Sequence, residues 1–181
     1  MERTDHLYQN NLDVPRGIFE DPRTRYIALM VIGLLLSVLQ VLLGPLIGIA
    51  KVTPDFVLIF CVRMAIIEGQ IIGMSAGFVM GFVYDIVSGD ILGTNALAKT
   101  VASFGAGYFH NVNLTRSTLT SLRFVMIVVL CSIAHNFLYF FFYIKPLETS
   151  FLAFFLQYGL GTSAYTAIFA LVPILMRPRR G

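Results

Sequence analysis

The sequence predicts an all-α integral membrane protein, a six-transmembrane-helix bundle with its N- and C-termini in the cytoplasm. Three observations lead to this fold class. Hydrophobic residues make up 57% of the 181 residues and only 13% are charged, a composition that soluble domains do not need. The apolar residues are concentrated in long runs, and the arginines lie at alternate ends of these runs.

Six apolar runs define the predicted spans, because about 17 to 25 helical residues cross a hydrocarbon core of roughly 30 Å. They cover about residues 26–43, 54–67, 71–87, 91–109, 122–143 and 151–176. The run 54–67 is short, and the run 91–109 contains both Asn95 and Lys99. Together the runs form a transmembrane domain, 26–176. A polar segment, 1–25, precedes it and a basic tail, 177–181, follows it, and both are predicted to be cytoplasmic.

The positions of the basic residues favour six crossings over five. With six spans and a cytoplasmic N-terminus, the outer side carries only Lys51 and Lys145, while Lys99 lies inside a span. The arginines all fall on the inner side: Arg3, Arg16, Arg23, Arg25, Arg63, Arg116, Arg123, Arg177, Arg179 and Arg180. This asymmetry satisfies the positive-inside rule. Removing the crossing at 91–109 would place the three C-terminal arginines outside.

A ladder of small residues runs through the third span. Gly73, Gly77 and Gly81 follow one another at intervals of four, and Asp85 continues the row. The same spacing recurs in the fourth span at Ala98, Ala102 and Ala106. Small residues at this spacing let helices in lipid approach each other closely. The six residues therefore form a predicted packing or partner interface, and the pattern leaves open whether they contact this protein's own helices or another membrane protein.

Polar residues at membrane depth are the second predicted feature. An acid or a base inside a span costs about 2.5 to 3.5 kcal/mol to insert, so each one needs a partner or a use. The topology brings six polar residues from four spans into the outer half of the bilayer: Asp85, Asn95, Lys99, His135, Asn136 and Gln157. Asp85 and Lys99 are the expected ion pair, with the lysine reaching outward. The cluster either binds a ligand or forms an internal hydrogen-bond network that fixes the bundle.

Catalytic devices are not expected. The sequence has no P-loop, no HExxH motif and no closely spaced cysteines, and an energised pump or a metal-dependent hydrolase would need such a device. We therefore predict no catalytic residue, no metal site and no cofactor.

One block of the sequence resembles a known family. Pro54-Asp55 opens a short span, and GMSAGFVMGFVYDIVSGDILGTNAL follows from Gly73 to Leu97. This proline-led helix, the G-x-x-x-G-F-x-x-G-x-x-x-D block and the following L-G-x-x-A-L are similar to the MreD family of rod shape-determining proteins. The resemblance extends over residues 26–176 in size and hydropathy.

The resemblance implies a multi-pass, non-enzymatic scaffold of the cell-elongation (rod) complex in the bacterial inner (cytoplasmic) membrane. Such a scaffold binds MreC, a single-span protein with an extracytoplasmic domain. It helps to control cell shape and peptidoglycan synthesis together with RodA, its transpeptidase and MreB, and no nucleic acid is involved. MreD proteins are also expected to be similar in helical arrangement to the S-components of energy-coupling-factor transporters. The alternative function is therefore a solute-binding S-component-like subunit.

Overall fold

The computed structural model describes residues 22–49, 52–143 and 151–175. The predicted cytoplasmic tail 177–181, most of the polar segment 1–25, Lys51 and Lys145 lie outside these residues. The chain divides into two compact units, Met1–Ile32 and Gly33–Gly181, with the boundary inside the first helix. In the described part of the first unit, the Arg25 guanidinium lies 5.6 Å from the centre of the Tyr26 ring.

The described residues are almost entirely helical, which confirms the all-α class. The first three helices are α1 (Pro22–Ile47), α2 (Phe56–Glu68) and α3 (Gln70–Ser88). Between α1 and α2, an isolated bridge joins Ile49 to Val52. Helices α2 and α3 are joined by Gly69 alone, at φ +89°. Only glycine adopts this φ at little cost, so the residue type at this position permits the sharp reversal of the chain.

The second half of the chain contains more breaks than the apolar runs predict. Helices α4 (Thr94–Gly107) and α6 (Leu122–Tyr143) are separated by a short helix, α5 (Thr115–Leu119). The predicted span 151–176 is helical over 151–175 but is divided into α7 (Phe151–Phe154), a π-helical turn (Phe155–Gly159), α8 (Leu160–Ala170) and α9 (Val172–Leu175). A π-helical turn shifts the faces of the helix on its two sides.

Helix α2 lies at the centre of the second unit. Val57, Leu58, Cys61 and Val62 are all completely buried, as expected for a helix that is hydrophobic all round. The main hydrophobic cluster joins α2 to residues of α4, α6 and α8: Leu58, Val62, Ala65, Ile66, Ala102, Ala106, Phe124, Ile127, Val128, Cys131 and Ala170. Helices α4, α6 and α8 therefore pack around this short segment.

Among the described residues, three helices are long and apolar enough to cross a membrane: Arg23–Ile47, Gln70–Ser88 and Leu122–Phe142. Helices α2, with 13 residues, and α4, with 14 residues, are only about 20 Å long at ~1.5 Å per residue. The remaining three predicted spans and the cytoplasmic location of the termini stay predictions.

Candidate functional site: a buried polar cluster

The cluster is built around Asp55, at the start of α2. The carboxylate caps this helix, because Asp55 Oδ1 accepts a hydrogen bond of 2.7 Å from the Leu58 backbone N–H. Gln40 of α1 supports the same helix end: its Oε1 accepts from Val57 N–H at 2.9 Å and its Nε2 donates to Asp55 Oδ1 at 3.3 Å. The Asp55 N–H donates to Thr166 Oγ1 of α8 at 3.0 Å. Side chains of two other helices thus fix the start of α2.

Lys99 of α4 pairs with Asp55. Its Nζ lies 2.7 Å from Asp55 Oδ2, and the lysine is 1% exposed. The same Nζ donates to Asn95 Oδ1 at 3.3 Å and lies 3.2 Å from His135 Nε2 and 5.1 Å from the centre of the Tyr84 ring. A buried charge is tolerated when it is both paired and hydrogen-bonded. Lys99 meets both conditions.

The expected ion pair between Asp85 and Lys99 is therefore wrong. Lys99 reaches across to α2, whereas Asp85 turns to the backbone at the start of its neighbouring helix. The physical reason is that an N-terminal helix end offers several unpaired N–H groups, and these satisfy the Asp85 carboxylate without a cation.

Asp85 accepts hydrogen bonds from the first turn of α4. Its Oδ2 accepts from the N–H groups of Gly93 at 2.9 Å and Ala96 at 3.2 Å. Its Oδ1 accepts from the backbone N–H of Asn95 at 3.2 Å and from Asn95 Nδ2 at 2.9 Å. A carboxylate supplied by α3 thus caps α4, where negative charge also complements the helix dipole.

Replacing Asp85 by alanine is expected to destabilise the protein more than any other change at this helix end. It leaves three N–H groups without their acceptor, two of them buried and that of Gly93 partly buried, and a buried one costs about 1 kcal/mol or more. Asp90→Ala is the matched control, because Asp90 makes only longer contacts, of 3.4 Å to Asn95 Nδ2 and 3.3 Å to the Tyr139 hydroxyl. Unfolding in mixed micelles, followed by circular dichroism, compares the two variants. An equal loss in both would contradict the capping role.

His135 and Asn136 extend the cluster to α6. Asn136 Nδ2 donates to the Gly159 carbonyl at 3.1 Å and to Ser163 Oγ at 3.0 Å, which ties α6 to the π-helical turn and α8. His135 stacks on Tyr139, with ring centres 6.2 Å apart and planes 8° apart. The His135 Nδ1 atom is buried and has no hydrogen-bond partner among the described residues.

Gln157 does not belong to the cluster. It lies in the π-helical turn, and its side chain is exposed, whereas Gly159 of the same turn is buried. The prediction that Gln157 joins the cluster assumed a regular helix through the span 151–176. The extra residue of the π-helical turn changes which positions face the bundle, and Asn136 contacts Gly159 and Ser163 there instead.

The glycine ladder lies inside the chain's own helix bundle. A Cβ atom added at Gly77 would lie 2.7 Å from the Lys99 carbonyl oxygen, and one added at Gly81 would lie 2.6 Å from that of Asn95. The nearest neighbour of Gly73 is Ala65 of α2. The three glycines thus allow α3 to contact two helices of the same chain at backbone distance.

The alanine stripe of α4 contributes to the core of the second unit. Ala102 and Ala106 belong to the hydrophobic cluster with α2 and α6, and Ala98 is completely buried. The α4 atoms nearest to Gly77 and Gly81 belong instead to Asn95, Ala96, Lys99 and Ser103. The glycine ladder therefore meets α4 mainly at positions outside the alanine stripe.

Beside the cluster lies a cavity of about 350 Å³. One part of its lining is polar: Gln40, Thr53, Asp55, Asn95, His135, Asn136 and Thr162. The other part is aromatic: Tyr84, Tyr139, Phe140, Phe154 and Tyr158. Three of the six cluster residues predicted from the sequence, Asn95, His135 and Asn136, line this cavity. The prediction did not include the central acid of the cluster, Asp55. The signal for this acid was its position after Pro54 at the start of an apolar run, which is typical of a helix N-cap.

One motif near this cluster has the residue order of a catalytic element but not its geometry. Gly73 to Gly77 reads G-x-S-x-G, the order of residues in a hydrolase nucleophile elbow, which requires a strand-to-helix turn. Here Ser75 lies within α3, exposed, and its hydroxyl donates to the Ile71 carbonyl at 2.9 Å. Among residues 22–49, 52–143 and 151–175, no group of three or more metal-ligating side chains comes together.

The fold and this cluster define a class: a helical membrane protein whose buried charges bind its own helices together. The family model described as rod shape-determining protein MreD matches residues 23–177. The chain therefore belongs to the MreD family, which confirms the resemblance found in the sequence and implies a role in rod shape determination. Searches of curated proteins and of solved structures each gave no match.

Proposed function

We propose that this protein is a non-enzymatic scaffold of the bacterial cell-elongation complex, a multi-pass protein of the inner membrane that binds an MreC-like single-span partner. Through that partner it helps to control peptidoglycan synthesis by RodA and its transpeptidase, under the guidance of MreB. Six spans with cytoplasmic termini belong to the same proposal. The family supplies the context of rod shape, and the site supplies the argument for a scaffold.

One observation carries the scaffold role: the buried charges of the bundle are matched to groups of the same chain. Lys99 pairs with Asp55 at 2.7 Å, and Asp85 caps α4. Such groups hold helices at fixed positions. Of the three, only Asp55 lines the cavity beside the cluster, and Lys99 and Asp85 do not, whereas a catalytic or transporting group would need to face a substrate or a path. A fixed bundle is what a partner helix needs as a docking surface.

Co-purification with an MreC-like protein tests partner binding. We expect the partner to be retained in mild detergent, because helices in lipid associate through preformed, closely packed surfaces. Photo-crosslinkers at Leu42, Phe78 and Leu152, which are 64%, 53% and 63% exposed on three different helices, then locate the docking face. A crosslinker at completely buried Val62 is the control. A partner that neither co-purifies nor crosslinks from any exposed position would refute the proposal.

The solute-binding alternative is not favoured by the family match. The feature that a solute would use is the cavity lined by Tyr84, His135 and Tyr158. Native mass spectrometry of the purified protein distinguishes the two functions, because a tightly held small molecule would support the alternative.

A further inference from the structure

A second cavity, of about 480 Å³, lies where the chain passes from α4 to α6. Its lining includes polar residues, Asn111, Thr118 and Arg123, and apolar residues, Met126, Ile127 and Leu130. Tyr108 and Phe109, both exposed, also line it, and aromatic residues are common at a membrane interface.

Along α6, the lining of this cavity passes from a charged residue to apolar residues. Arg123 lies in the first turn of the helix, and Leu130 lies seven residues further along, which is about 10 Å at ~1.5 Å per residue. Residues Leu122–Phe142 of this helix are long and apolar enough to cross a membrane. The cavity therefore has its cation at the end of a candidate membrane span and its apolar lining toward the middle.

A groove continues from this cavity on the neighbouring face of α6. Its lining is entirely apolar and consists of Leu122, Val125, Met126, Val129 and Leu130. Met126 and Leu130 line both the cavity and the groove. Two apolar depressions thus lie on either side of Met126 and Leu130, an arrangement that suits a molecule with one head and two chains.

The polar part of the cavity carries positive charge. Arg123 is exposed, and no Asp or Glu occurs in the sequence between Asp90 and Glu148. Glu68 precedes Gly69, which packs against His110, but Glu68 does not line the cavity. An arginine guanidinium is well suited to bind a phosphate group through two parallel hydrogen bonds.

We propose that this cavity binds an anionic diacyl phospholipid. Arg123 holds the phosphate, and the two acyl chains lie on either side of Met126 and Leu130. The site depends on the assignment to a membrane and not on the MreC-like partner, so lipid retention and partner retention can fail separately.

Native mass spectrometry after exchange into mixed micelles of phosphatidylglycerol and phosphatidylcholine tests the site. The wild type is expected to retain phosphatidylglycerol preferentially, and Arg123→Gln to lose about fivefold in this retention, equivalent to about 1 kcal/mol. Arg116→Gln is the matched control, an exposed arginine of α5 that does not line the cavity. It is expected to retain as much as the wild type.

A second variant tests the two apolar depressions, the cavity and the groove. Leu130 is 59% exposed, so Leu130→Trp is expected to fold while filling both the cavity and the groove, and to lower the retention of both lipids. Equal retention of the two lipids by the wild type would overturn the proposal. The same loss in Arg123→Gln and Arg116→Gln, or undiminished retention by Leu130→Trp, would also overturn it.

Discussion

Lys99→Met is expected to lower the free energy of unfolding by about 3 to 5 kcal/mol, because it leaves the Asp55 carboxylate buried without its cation. Methionine fills a volume similar to that of lysine, so the loss reports on charge rather than on packing. The Lys99 Nζ also contacts Asn95 and His135, and these two groups lose a partner as well. Unfolding in mixed micelles, followed by circular dichroism, measures the effect.

The double variant Asp55→Asn, Lys99→Met is expected to recover most of this stability. Neither remaining side chain is charged, and the asparagine oxygen can still accept from the Leu58 N–H, which lies 2.7 Å from Asp55 Oδ1. Arg116→Met, at an exposed position, is the matched control and is expected to change stability by less than about 0.5 kcal/mol. A double variant as unstable as Lys99→Met would contradict the ion-pair explanation.

The same double variant tests the scaffold proposal in cells. If the pair only holds helices together, the stable double variant should restore rod shape to cells that lack the protein. A double variant that folds and binds the partner but leaves the cells round would show that the two charges have a function besides holding the helices together. The scaffold proposal would then fail.

Gly77→Ala is expected to destabilise the bundle by about 1 to 3 kcal/mol, the usual cost of overpacking. The added Cβ would meet the carbonyl oxygen of Lys99 and Ser103 Oγ, both at 2.7 Å. Backbone atoms cannot move aside without shifting α4, which also carries Lys99. Separation of α3 from α4 is therefore expected to weaken the Asp55–Lys99 pair, measured as a lowered midpoint of thermal unfolding in detergent.

Gly105→Ala is the matched control for this change. Gly105 also lies within a helix, but no atom lies within 4 Å of an added Cβ. Alanine is the better helix former by about 1 kcal/mol, so this variant should be as stable as the wild type or more stable. A midpoint for Gly77→Ala at or above that of Gly105→Ala would show that α3 and α4 do not pack at backbone distance.

The positions of the long helices were readable from hydropathy. The predicted spans 71–87 and 122–143 correspond to α3 (Gln70–Ser88) and α6 (Leu122–Tyr143), because a helix surrounded by apolar neighbours leaves a continuous apolar run. The family, too, was readable from the block Gly73 to Leu97. The breaks around Phe155–Gly159 could not be predicted from the sequence, because a π-helical turn has no distinct pattern of hydrophobic residues.

The sequence by itself therefore determined the all-helical class, the family and the residues whose burial needs explanation. Only the tertiary structure decided how these residues pair. Whether Lys99 meets Asp85 or Asp55 depends on the rotation of α4 about its own axis and on its distance from α2, and neither is encoded in the spacing along one helix. The same holds for the glycine ladder. Its spacing indicates a close contact between helices, but the packing of the whole bundle decides which helices make that contact.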